Sequence, residues 1–140
     1  MVAIAQQLGE LNDRTLTDPG QVKNIDSFLD RFRQVMRNQL AFRCLPLSMA
    51  HLVQRSPKMR VHLKRTRGKR MNELRSMLHD LSTSGELMEL SPEEIDHLIG
   101  CISLISRGWL TETVAESLRP ASRIEHYIGM VRMHLRPFIP

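Results

Sequence analysis

The stretch "AFRCLPLSMAHLVQRSPKM" (residues 41–59) keeps apolar residues at helical spacing, yet Pro46 and Pro57 cut it twice. Proline ends or kinks a helix, so one continuous helix is excluded. The spacing instead predicts a very short helix, Pro46 to Arg55, set between two long ones with a corner at each end. Ser56-Pro57 reads as the cap and first residue of the second long helix.

Helical periodicity continues on both sides of this stretch. Upstream, Ile25, Phe28, Leu29, Phe32, Val35, Met36 and Leu40 fall on one amphipathic face. Asp18-Pro19-Gly20-Gln21 is read as the start of that helix, and Met1 to about Arg14 as a shorter helix with Ile4, Leu8 and Leu11 inward. Downstream, Met59, Leu63, Met71, Leu74, Leu78 and Leu81 form the next stripe, and Gly85 suits a helix C-terminus. "SPEE" (91–94) combines a cap, a proline and a glutamate three residues on. "SRIE" (122–125) offers a similar box ahead of Ile124, Tyr127, Ile128, Val131 and Leu135, which run to Pro137. Strand signals are almost absent. The fold class is all-α, with about six helices in one domain spanning residues 1–140.

The helix after Ser91 carries two stripes. Ile95, Leu98, Ile102, Ile105 and Trp109 form one; His97, Cys101, Leu104, Gly108 and Ala115 form a second, largely small or apolar. A helix apolar on two sides is expected to be covered on two sides. Gly100, Gly108 and Gly129 each cost helix propensity, about 1 kcal/mol relative to alanine. Their retention is consistent with close packing at a helix–helix interface.

Composition fits a soluble globular domain: 140 residues, 41% hydrophobic and 25% charged. Aromatics are scarce at 4% while methionine reaches nine, which suits an adaptable interior. Cys44 and Cys101 form no metal-binding spacing, and the start lacks the pattern of a signal peptide. The most apolar run, Ile95 to Leu110, contains Asp96, His97 and Arg107 and is no membrane span. A cytoplasmic location is the expectation, with no membrane partner.

Net charge is +5, and twelve of the twenty basic residues lie between Arg31 and Asn72, where no acidic residue occurs. The densest part, "KMRVHLKRTRGKR" (58–70), has the charge to meet phosphates, although no aromatic residues are interleaved for stacking. This leaves an alternative function open: a helical module binding protein or nucleic acid through segment 58–70.

Catalytic patterns are missing. There is no phosphate-binding glycine loop, no HExxH and no serine-nucleophile motif, and Glu93-Glu94 follow the preference for acids at a helix start. His97 and Cys101, one helical turn apart, have the spacing of two zinc ligands, but nothing in the sequence completes the set. No catalytic residue, metal or cofactor is assigned, and the protein is not expected to be an enzyme.

The order of "FRCLP" (42–46), Trp109-Leu110 and the ending "RPFI" (136–139) resembles the effector domain of TetR-family transcriptional regulators. The resemblance covers roughly Ile25 to Pro140, with Cys44 where the similar subgroup usually carries aspartate. It implies a ligand-binding and dimerisation bundle of a bacterial repressor. The expected partners are a second copy of the chain and a small, mostly apolar effector. The residues before Asp18 are too few for the family's helix-turn-helix domain, so DNA contact is expected only through a domain outside this sequence. In this reading Phe42, Met49, Leu52, Met77, Leu81, Ile102 and Trp109 line the effector pocket. Cys101, Leu104, Gly108, Ile128, Met130 and His134 form the homodimer surface on the last two long helices. The short helix Pro46 to Arg55 is the expected moving part.

Overall fold

The two prolines act at the corners, each four residues upstream of itself. A proline ring collides with the carbonyl four residues earlier and supplies no N–H to it. For Pro46 that carbonyl belongs to Phe42, the residue that ends the preceding helix. For Pro57 it belongs to Val53, and Arg60 takes over the missing donor: its Nε and Nη2 both donate to Val53 O at 3.3 Å.

A computed structural model describes residues 2–17 and 22–140. Helix α1 spans Val2–Thr17, α2 Ile25–Ala41, α3 Cys44–Arg55, α4 Pro57–Thr83, α5 Pro92–Ala115 and α6 Pro120–Leu135; a 3-10 turn, Arg136–Phe138, follows. The described residues are thus all-α with six helices, as the periodicity requires. Helix α3 begins at Cys44, two residues before Pro46. Pro46 sits in the first turn, where no intrahelical partner is needed for an N–H.

Local signals account for several ends. The Ser56 side chain accepts from Met59 N at 3.2 Å with Pro57 at the first helical position. Ser91 and Glu94 close a reciprocal box at 3.2 and 2.7 Å. Gly85, at φ 82°, lets α4 stop: Glu86 N donates to Leu81 O at 3.0 Å and Gly85 N to Ser82 O at 3.1 Å. That pair of bonds is the Schellman closure, which needs a residue tolerant of the left-handed conformation.

Two expected starts are corrected. Asp18-Pro19-Gly20-Gln21 lie outside the described residues, and the cap of α2 is Asn24, which exchanges bonds with Ser27 at 2.7 and 3.2 Å. Helix α6 starts at Pro120 rather than at Ser122. Ser122 Oγ donates to Arg119 O at 2.8 Å, and Glu125 is drawn away to Arg33 of α2, with Nη2 to Oε2 at 3.1 Å.

Apolar side chains gather in two clusters. The main core joins α2, the second half of α4, α5 and α6 through residues such as Phe28, Met36, Leu78, Ile102, Trp109 and Val131. A smaller cluster joins α1, α3 and the start of α4 through Ala5, Leu8, Leu45 and Met59. Helix α4, with 27 residues and thus about 40 Å long, passes from one cluster to the other.

Candidate functional site

The seven candidate pocket residues divide between those clusters. Phe42, Met49 and Leu52 are half-buried against the smaller one. Leu81, Ile102 and Trp109 are buried in the main core, and Met77 packs partly exposed on it. All seven face inward, but they are not brought together as one lining.

Polar side chains link α1, α2, α4 and α5. Trp109 Nε1 donates to Gln39 Oε1 at 2.7 Å, and Gln39 Nε2 donates onward to Ser106 O at 3.1 Å. Asn38, buried on α2, donates to Asn12 Oδ1 at 2.9 Å and Thr15 Oγ1 at 3.1 Å, tying α1 down. Arg70 of α4 reaches α1 as well, with Nη1 to Asp13 at 2.8 Å and Nη2 to Gly9 O at 2.9 Å. Arg70 also pairs with Glu73 Oε2 at 2.8 Å, while Glu73 Oε1 is buried with no hydrogen-bond partner among the described residues. Asn12, Asn38, Gln39 and Ser106 did not stand out in the sequence, because isolated Asn, Gln and Ser on helices carry no motif. A separate open groove of about 440 Å³ between α1 and α2 is lined by Leu11, Arg14, Thr15, Asp30, Arg31, Gln34 and Asn38, and by none of the seven.

The candidate dimer surface falls out less evenly. On α5, Leu104 is 64% exposed, Gly108 is exposed and Cys101 is half-buried, all turned away from the main core. On α6, Met130 and His134 are half-buried, with His134 Nδ1 at 2.8 Å from Met130 O. Ile128 is only 2% exposed and belongs to the core of the chain itself, so it is not available as surface. The outward apolar residue on α6 is Met133, 69% exposed, which sequence reasoning missed. Its signal was an apolar residue outside the stripe of Ile124, Tyr127, Ile128, Val131 and Leu135. A Cβ added at Gly100, Gly108 or Gly129 would meet nothing within 4 Å, so no close packing inside the described chain uses these glycines.

The basic segment 58–70 is partly consumed by the fold. Arg60 closes a corner, Lys69 pairs with Asp13 at 2.9 Å, and Arg70 clamps α1. Lys58, Lys64, Arg65 and Arg67 remain exposed. Burial and the nearby charge of Arg67 hold the Arg107 guanidinium below the usual arginine range. Cys101 Sγ lies 3.7 Å from His97 Nε2. No group of three or more His, Cys, Asp or Glu suited to a metal occurs among the described residues. No helix among them is long and apolar enough to cross a membrane.

A family model described as the TetR bacterial transcriptional repressor matches residues 7–140. The chain belongs to the TetR family. No curated protein and no solved structure matches it. Helical architecture and family therefore agree, and TetR proteins are transcriptional regulators.

Proposed function

We propose that this TetR chain is the effector-sensing and dimerisation unit of a one-component repressor. The observation that carries the reading is the pair of large apolar side chains that α5 and α6 leave in solvent, Leu104 at 64% and Met133 at 69% exposure. In a family of repressors, such a surface fits an isologous contact between two copies, the commonest oligomer geometry. DNA is reached through a reading domain joined to this chain, and relief of repression is a shift between two spacings of the two readers.

The effector would enter where the two apolar clusters approach each other. Phe42, Met49 and Leu52 of the smaller cluster and Trp109 of the main one are the apolar side chains this reading assigns to it. A small, mostly apolar molecule carrying a hydrogen-bonding group suits such a site, since ligand sites commonly combine an apolar lining with a few polar anchors. Helix α3 is the natural moving part: Leu45 is its one fully buried residue, so little apolar area holds it in place.

The test uses the repressor with its DNA reader attached. Operator affinity is measured with and without small apolar molecules that quench or shift Trp109 fluorescence. Release from the operator on binding is the expected result. Equal operator affinity at saturating occupancy would sink the sensing role.

A further inference from the structure

We propose that His97 and Cys101 are one half of a zinc site, completed by the same two side chains of a second copy of the chain. The inference rests on the dimer reading above. Sulfur and imidazole donors together select zinc over the oxygen-preferring cations. A tetrahedral zinc with bonds of about 2.3 Å to sulfur and about 2.0 Å to nitrogen holds its S and N ligands about 3.5 Å apart. Cys101 Sγ and His97 Nε2 stand 3.7 Å apart, close to that separation.

Placement supports the same conclusion. Positions 97 and 101 are one turn apart on α5, on the side that continues through Leu104 and Gly108, whereas Leu98, Ile102 and Trp109 point into the core. A single chain offers two ligands and stops, in keeping with the absence of any larger donor group among the described residues. A two-fold axis passing beside this turn duplicates the pair and yields two cysteines and two histidines, a closed structural set. The charge closes too: each thiol releases its proton to solvent on binding, both imidazoles stay neutral, and two thiolates neutralise the dication. A neutral site suits a contact that excludes water better than a bare charge would.

The 140-residue chain, stripped with chelator, is titrated with Zn²⁺ and with Co²⁺ as a spectroscopic stand-in. Expected are one metal per two chains, tetrahedral cobalt bands with thiolate charge transfer, and a dimer that holds to lower protein concentration with zinc. Cys101→Ser and His97→Ala each weaken binding by about tenfold or more while leaving helical content intact. A dimer that binds no zinc overturns the site and leaves the dimer standing. So does one metal per chain, or binding indifferent to both substitutions. A chain that stays monomeric with and without zinc overturns the dimer reading as well.

Discussion

Trp109 is the sole tryptophan of the chain, and its indole N–H is spent on Gln39 at 2.7 Å. Gln39→Leu keeps the volume and removes the acceptor. An unpaired buried donor costs about 1–3 kcal/mol, so urea unfolding followed by Trp109 fluorescence is expected to lose that much stability. Unchanged stability would mean that the indole finds another acceptor. Asp13 supplies a pH-dependent counterpart. Burial alone would raise its pKa, but hydrogen bonds from Lys69 and Arg70, and their charges, reverse this and hold the carboxyl below its ordinary value. A depressed folded-state value means stability that is complete above the unfolded value, near pH 4, and is lost as pH falls through the folded one. Asp13→Asn should therefore destabilise the chain at neutral pH and become indistinguishable from wild type in strong acid. Its side chain is 35% exposed and Lys69 more so, so solvent screening limits the neutral-pH loss to about 1 kcal/mol. Thermal melts of both proteins from pH 3 to 7 check the sign.

Helix ends show why some of the fold was readable and some was not. The closure after α4 depends on Gly85 at φ 82°, and Gly85→Ala is expected to cost about 1 kcal/mol, seen as a lower melting temperature without loss of helical content. That glycine, Ser56-Pro57 and Ser91-Glu94 were legible because their bonds close within a few residues of sequence. "SRIE" had the same letters and a different fate, because Arg33 on α2 claims Glu125 from 92 positions away. No local pattern contains that competition. Helix phase correctly turned the seven pocket candidates inward, but phase does not say which of two clusters an inward side chain joins. Ile128 is a different failure: it already belonged to the stripe of Ile124, Tyr127, Val131 and Leu135, and its periodicity alone assigned it to the core. Asn38 and Gln39 were invisible for want of any motif, and Arg70 was read only as one charge of the basic segment, although their bonds tie down α1 and Trp109.

Taken as one molecule, the chain packs the first stripe of α5 into its core and leaves most of the second exposed, the surface on which the proposed dimer depends. Leu104 is the place to test it. At 64% exposure it contributes little to the core of a single chain, and an exposed substitution of this kind changes stability by about 0.5 kcal/mol or less. Leu104→Arg is thus expected to leave helical content and melting of the single chain near wild type. At an isologous seam the same change appears twice, setting two guanidinium groups against each other in a place that excludes water. Sedimentation velocity should then show wild type as a dimer and Leu104→Arg as a monomer at the same concentration. Met133→Arg, on the other helix, should act in the same direction if both helices meet the partner. If Leu104→Arg still sediments as a dimer, the seam does not run along α5, and the pairing of His97 and Cys101 with their copies goes with it.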